Sequence, residues 1–396
     1  MKKPLIVQKF GGTSVGSIER IHAVAEHIIN SKKQGYQVVV VVSAMSGETN
    51  RLMSLAKQVD VVPAARELDV LLAAGEQMSM ALLAMTLNKL GHAAASLTGV
   101  QAKITTDNRH NDATISHIDA GPILELLAQE QIVIVAGFQG VTKQGDITTL
   151  GRGGSDTTAV TLAGALNAQE CQIFTDVDGV YSCDPRVVPQ AQRLPIIDFP
   201  SMECMARHGA KVLHLPSVQY AWQHQVPLRV LSSFDLNSGT LVKGENCHRP
   251  MSGLAILRDM CLIHIESERI LNVQKQCQLL GITIGNVIEH PEWSAIVIKQ
   301  DDYTKLELAF QQKISNSEPI GLLTMVGLQA ERSAERSCQL LAAQSIKTIH
   351  VASDGLSITL AISPESIDKA ANILHHAHIA SSEALVCLQK HASLNE

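Results

Sequence analysis

Leu5-Ile6-Val7-Gln8-Lys9-Phe10-Gly11-Gly12-Thr13-Ser14 is a short apolar run that breaks into a glycine pair, with Ser17 next at the head of a helical pattern. In that pattern Ile18, Ile21, Val24, Ala25, Ile28 and Ile29 recur at the spacing of a helix with one buried side. A strand, a glycine corner and an amphipathic helix make the first half of a parallel β–α unit. The alternation continues outward. Apolar runs rich in Val and Ile predict further strands at 38–42, 93–97, 132–136, 171–175 and 227–231, buried on both faces. Helical patterns fill 17–31, 66–90 and 157–167. The expected fold class is α/β: an open, mostly parallel sheet with helices on both faces.

The pattern changes after 239–253, where Asn246-Cys247-His248-Arg249-Pro250 reads as a linker. Two rounds of strand, helix, two strands and helix follow, each of about 65 residues, the split βαβ arrangement. The first has strands at 254–265, 282–288 and 294–299 and helices at 270–280 and 303–314. The second has strands at 320–328, 348–352 and 357–362, helices at 334–344 and 365–377, and a last strand near 384–388. The expected domains are 1–245, then two ferredoxin-like βαββαβ domains at 254–319 and 320–390.

A length of 396 residues exceeds one ordinary core. A net charge of -6, with no long block of like charge, gives no reason to expect nucleic acid or an anionic membrane as partner. The N-terminal apolar stretch is interrupted at Gln8 and Lys9, too early for a signal-peptide core, and the apolar run 38–42 is far short of a bilayer span. A cytoplasmic protein is expected. No two of the eight cysteines make a C-x-x-C pair, so reduced thiols are expected, and His375-His376-Ala377-His378 lacks the frame of a metal site.

The polar motifs fall where the strands end. Lys9 with Gly11 and Gly12 closes the first strand; Ser43 and Thr49 follow the second; Gly137-Phe138-Gln139-Gly140 follows the fourth; Thr175-Asp176 ends the fifth. Open parallel sheets bind ligands beyond their carboxyl ends, so these groups are expected to share one crevice. Glycines let backbone N–H groups approach anionic oxygens, and a lysine adds charge, so the first corner reads as a phosphate cradle. The bland alternative is a glycine turn beside an exposed lysine.

Leu150-Gly151-Arg152-Gly153-Gly154-Ser155-Asp156 is a second glycine-rich turn, with Ser155 or Asp156 available to cap the helix after it. Arg152 suits a carboxylate or phosphate, whose two oxygens its fork can bind together. Asp176 could help hold Mg2+ or lie near a nucleotide, and Arg186, in Asp184-Pro185-Arg186, could touch phosphate or base. Lys211 lies on a helix-to-loop segment, and Glu76 sits within or at the start of an apolar helix, where a lone Glu is more often solvated. There is no Walker A motif, no complete G-x-G-x-x-G and no protein-kinase signature set.

Lys9-Phe10-Gly11-Gly12-Thr13-Ser14, Gly151-Arg152-Gly153-Gly154-Ser155-Asp156-Thr157-Thr158, Thr175-Asp176-Val177-Asp178-Gly179-Val180-Tyr181, Asp184-Pro185-Arg186 and Gly209-Ala210-Lys211-Val212-Leu213-His214 together resemble the aspartokinases of the amino-acid-kinase superfamily. The resemblance covers the first 245 residues in the expected order. It implies ATP and Mg2+ as cofactors and L-aspartate as substrate. Lys9, Lys211 and Asp176 would be catalytic. Lys9, Phe10, Gly11, Gly12, Ser43, Thr175, Asp176, Tyr181, Asp184, Arg186 and Lys211 would bind nucleotide. Thr49, Glu76, Arg152, Gly153, Gly154 and Ser155 would bind aspartate, with Ser43 beside them. The tail resembles paired ACT domains, which implies subunit joining in a homo-oligomer. The family's glycine before the first ACT helix is replaced by Ser267-Glu268-Arg269-Ile270 and by Ala330-Glu331-Arg332-Ser333. That argues against feedback inhibition by lysine or threonine. Gln77 stands where the family often has Arg.

Two competing readings carry different expectations. Another amino-acid kinase, acting on glutamate or carbamate, conflicts with the opening motif and the ACT-like tail. A catalytically inactive sensor or partner subunit would bind ATP without aspartate turnover, and would have no reason to keep Lys9, Arg152, Asp176 and Lys211 together.

Overall fold

The computed structural model describes residues 3–235, 239–289, 294–310 and 316–380. They fall into two compact units. One comprises Met1–Val180, Arg193–Glu203 and Lys211–Asn246; the other comprises Tyr181–Gln192, Cys204–Ala210 and Cys247–Glu396. In chain order the elements begin β1 (Leu5–Phe10), α1 (Ile18–Lys33), β2 (Gln37–Val42), α2 (Glu48–Val59), α3 (Ala65–Lys89) and β3 (Ala94–Leu97). Next come β4 (Ile104–Thr106), β5 (Ile115–Ile118), α4 (Gly121–Ala128), β6 (Ile132–Ala136), β7 (Gln139–Val141) and β8 (Ile147–Thr149). Then follow α5 (Gly154–Ala165), β9 (Glu170–Thr175), β10 (Ile196–Ile197), α6 (Phe199–Arg207), α7 (Leu215–Gln223), β11 (Leu228–Ser232) and β12 (Gly239–Val242).

Eight strands form the large sheet in the order β10-β12-β11-β9-β1-β2-β6-β3, parallel except where β12 meets β11. Side chains alternate across it. Ile6, Phe10, Val38, Val40, Val42, Ile132 and Ile134 share a core with Val24 and Ile28 of α1 and Leu83 and Leu87 of α3. Lys9 and its neighbours of the same parity face the side on which α5 lies against β1, β2 and β9. α1 starts where Ser17 accepts a hydrogen bond from the Arg20 N–H at 3.2 Å and ends on Lys32 and Lys33, which suit the negative end of its dipole.

All six expected strands form. The four-stranded sheet β5-β4-β7-β8 was not foreseen, because its strands are only three or four residues long. β12 also lies inside the stretch read as a break. α3 is long and apolar enough by length and composition to cross a membrane. Here its side chains Leu68, Leu72, Leu83 and Leu87 are buried inside the first unit.

The second unit continues with β13 (Gly253–Ile265), α8 (Ile270–Leu279), β14 (Asn286–Glu289), β15 (Ser294–Lys299), α9 (Gln300–Phe310), β16 (Asn316–Val326), α10 (Ala334–Ala342), β17 (Thr348–Ser353), β18 (Ser357–Ile362) and α11 (Ile367–His375). The two expected rounds share one antiparallel sheet, β14-β15-β13-β16-β18-β17, joined through the pairing of β13 with β16. The strand expected near 384–388 and the helix expected over 311–314 lie outside the described residues. The expected boundary at 245 is not a clean cut. Cys183 and Val188 are buried with Leu254, Leu323 and Leu374, and the Leu254 N–H donates to Ser182 O at 2.7 Å. The seven cysteines among the described residues are free.

Candidate active site

The register of the large sheet sets Phe10 beside Val42 and Phe174, and Val42 beside Ala136. Gly11, Ser43, Gly137 and Thr175 therefore leave the sheet along one edge. Glycine at position 12 is a steric requirement: an added Cβ would stand 2.9 Å from Ala44 O. The loop after β2 can therefore lie against the corner after β1. The Phe10 ring is fully buried and stacks on Phe174 at 4.6 Å between centroids. The Phe10 ring therefore packs into the core, and its carbonyl accepts the Ser43 N–H at 3.1 Å, which ties the two strand-end corners together.

A cavity of about 340 Å³ opens at this edge. Of the expected site residues, Lys9, Gly12, Ser43, Thr49, Glu76, Arg152, Gly153, Gly154 and Ser155 line it. Gly11 adjoins it, since a Cβ there would be 3.5 Å from Lys9 Nζ. Thr175, Asp176 and Lys211 do not line it. Thr175 donates its hydroxyl to Asp176 Oδ1 at 3.0 Å at the strand end, and Lys211 is exposed in the loop between α6 and α7. Tyr181, Asp184 and Arg186 belong to the second unit, where Arg186 and Asp184 pair at 2.7 Å.

The start of α5 differs from the sequence reading. Neither Ser155 nor Asp156 caps it; Gly153 does, at φ 73°, with no side-chain bond. Asp156 is thereby released to meet Lys9, with Nζ 2.7 Å from Oδ1 and both side chains mostly buried. The contact is an ion pair without hydrogen-bond alignment, for no donor is directed at that buried oxygen. A Cβ on Gly153 would penetrate the His214 ring. Burial pushes the His214 imidazole below its ordinary value, against the pull of Asp156. Gly153→Ala is expected to destabilise the fold by about 2 kcal/mol or more, from positive φ and steric overlap together. A urea melt checks this. Adding His214→Ala should recover the steric part and leave the backbone part.

Glu76 overturns the expectation of a solvated side chain. It is only 3% exposed, because the loop after β2 covers it. Its Oε1 accepts the Ala44 N–H at 3.0 Å, and its Oε2 is buried without a partner. Burial raises its pKa to about 7, against the lowering effect of the Ala44 hydrogen bond. Arg152 also lines the cavity; it is exposed and makes no hydrogen bond or ion pair among the described residues. An unpaired acid and an unpaired guanidinium in one polar cavity match a zwitterion carrying an ammonium and a carboxylate.

A family model described as the amino acid kinase family matches residues 4–232. An aspartate kinase of Pseudomonas putida is 43% identical to this chain, covering 94% of it and 97% of its own length. The chain belongs to the aspartokinases of the amino acid kinase family. Among solved aspartokinases, the crystal structure of E. coli aspartokinase III in complex with aspartate and ADP (R-state) gives a TM-score of 0.78 at 25% identity, covering 94% of this chain and 99% of that one. The same enzyme in complex with lysine and aspartate (T-state) gives 0.77 at 26%, covering 95% and 99%.

Several residues of this aspartokinase site were not singled out from sequence. Ala44, Met45, Ser46 and Gly47 line the cavity from the loop after β2; Phe138, within the expected Gly137–Gly140 corner, lines it at a left-handed φ of 68°. The loop had a signal in its place at a strand end; the Phe138 conformation had none. Gln77, where the family often has Arg, donates to Gln139 Oε1 at 3.3 Å. Gln139 in turn donates to Ala73 O, so position 77 is tied into the packing of α3.

Proposed function

We propose that this chain is an aspartate kinase, transferring the γ-phosphoryl group of ATP to the side-chain carboxylate of L-aspartate to give 4-phospho-L-aspartate. This is the first step toward lysine, threonine and methionine. The observation that carries the proposal is the union, in one cavity, of Lys9 and Gly12 with Glu76 and Arg152. Lys9 and the glycine corner would take phosphate; Glu76 Oε2 would accept the substrate ammonium, and Arg152 would take a substrate carboxylate, with Ser43, Thr49 and Ser155 beside them. Gly153 and Gly154 let the turn approach. Lys211, Asp176 and Thr175 would serve the nucleotide.

A carboxylate is already a nucleophile at neutral pH, so no proton has to be removed. Its oxygen forms a bond to Pγ as the bond from Pγ to the bridging oxygen breaks, and ADP leaves with that electron pair. The protein's part is alignment and charge neutralisation. Mg2+ would come with the phosphates and would need one carboxylate beside them. Among the described residues no three His, Cys, Asp or Glu side chains form a metal cage. This ion prefers phosphate oxygens and water with one or two carboxylates. Asp176 would be such a carboxylate, and bound Mg2+ would neutralise phosphate charge.

The buried acid predicts a pH dependence. Below about pH 7 the unliganded Glu76 is protonated, and a neutral acid cannot pair with an ammonium. The KM for aspartate should rise about tenfold for each pH unit below that value, with proton release on binding. Calorimetry in buffers of different ionisation enthalpy reads the proton directly.

The ACT-like regions at 254–319 and 320–390 would join subunits in a cytoplasmic homo-oligomer behind a catalytic domain at 1–245. The two stretches lacking the family glycine, Ser267–Arg269 and Glu331–Ser333, are single 3-10 turns leading into α8 and α10. Inhibition by lysine or threonine is therefore not expected. A coupled assay of ATP consumption tests the whole reading: turnover should require L-aspartate and persist with both amino acids added. ATP binding without aspartate-dependent turnover would favour the inactive-sensor alternative.

A further inference from the structure

Asp69 lies on α3 two turns before Glu76 and is fully buried. A buried carboxylate needs hydrogen-bond partners, and those of Asp69 flank the Arg152 turn. Its Oδ1 accepts the Thr149 hydroxyl at 2.5 Å. The Asn111 N–H is directed at both oxygens, at 3.1 and 3.2 Å, and His110 Nδ1 is 2.6 Å from Oδ2. Thr149 ends β8, and Leu150-Gly151-Arg152 follows immediately.

The loop that carries His110 and Asn111 packs on the same turn. The Ala113 N–H donates to Thr149 O at 2.9 Å. A Cβ on Gly151 would stand 3.1 Å from Asp112 Oδ1 and 3.2 Å from Asn111 O. Asn111 and Gly151 both adopt left-handed backbone, at φ 66° and 69°. Such conformations persist when their surroundings enforce them. The Arg152 guanidinium makes no hydrogen bond or ion pair among the described residues, so the turn is what sets where its Cα starts and which cavity its side chain can reach.

We propose that Asp69 is a positioning residue for substrate recognition. It grips the Gly151-Arg152 turn from the strand before it and from the loop beside it, and thereby fixes the main chain from which Arg152 reaches the cavity that Glu76 also lines. One helix then sets both ends of the substrate: Glu76 directly, and Arg152 through Asp69. This rests on the aspartate-kinase reading and adds to it a residue that touches no substrate.

The test is a double-mutant cycle on the full-length protein, with KM measured separately for L-aspartate and ATP. Asp69→Asn keeps the size of the side chain and removes its charge. It should raise the aspartate KM about tenfold and leave the ATP KM within about twofold. In an Arg152→Ala background the same change should move the aspartate KM less than about twofold, because the group it positions is gone. An equal factor in both backgrounds, or an equal rise in both KM values, overturns the inference while leaving the activity assignment standing. An aspartate KM unchanged by Arg152→Ala alone would instead remove the role proposed for Arg152, and this inference with it. If Asp69→Asn does not fold, Thr149→Val, which deletes one hydroxyl, decides the same cycle.

Discussion

Lys9→Ala should lower kcat by at least ~100-fold, the scale of losing one charge contact made in a transition state. The ammonium lies where the parallel strands end, beside a glycine corner that brings main chain close to it. As the oxygen to Pγ bond breaks, charge moves onto the phosphate oxygens, and a fixed cation in a mostly buried position meets it without reorganisation. The substitution has a second consequence that must be separated from the first. Asp156 would be left as a mostly buried carboxylate without its cation, at a cost on the order of 3 kcal/mol. Lys9→Ala with Asp156→Asn should recover much of that stability and none of the turnover. Comparing melting curves with kcat for the parent and these two variants distinguishes an unstable protein from a disabled one. Near-normal turnover in Lys9→Ala would take Lys9 out of the mechanism.

The large sheet was readable because strands buried on both faces must be apolar throughout, and Val38-Val39-Val40-Val41-Val42 is such a run. The site edge was readable because glycine and polar motifs follow those runs. Glu76 was not. A single Glu on a helix rich in Ala, Leu and Met looks solvated unless the covering element is known. The cover is the loop after β2, brought so close that a Cβ on Gly75 would stand 2.9 Å from Ala44 Cβ. Asp156 was misread because Ser-Asp at a helix start usually caps, whereas Gly153 takes the cap position and leaves the carboxylate for Lys9. The stretch 181–192 follows kinase-like motifs in the sequence, yet Cys183 and Val188 belong to the second core. Hydrophobicity says that a residue will be buried and is silent on which of two cores takes it.

Glu76→Gln should move binding and stability in opposite directions. The glutamine carbonyl can keep the Ala44 N–H, and its amide replaces Oε2, the buried oxygen without a partner. That amide is a donor facing an ammonium that needs an acceptor, so the aspartate KM should rise about 100-fold. The ATP KM should hold, and proton release on aspartate binding should vanish. Stability runs the other way. Burial raises the Glu76 pKa from 4.5 to about 7, so the folded state holds a proton that the unfolded state has lost between those values. Stability therefore falls as pH rises through this window, by a total on the order of 3 kcal/mol above pH ~7. Glutamine has no charge to bury, so the variant should melt higher than the parent at pH ~8 and lose that advantage toward pH ~5. A gain in stability that grows with pH, coupled to a loss of substrate affinity, is expected of a carboxylate kept buried for its ligand. An unchanged aspartate KM would show that the ammonium binds elsewhere, and a stability difference indifferent to pH would show that burial does not keep Glu76 protonated.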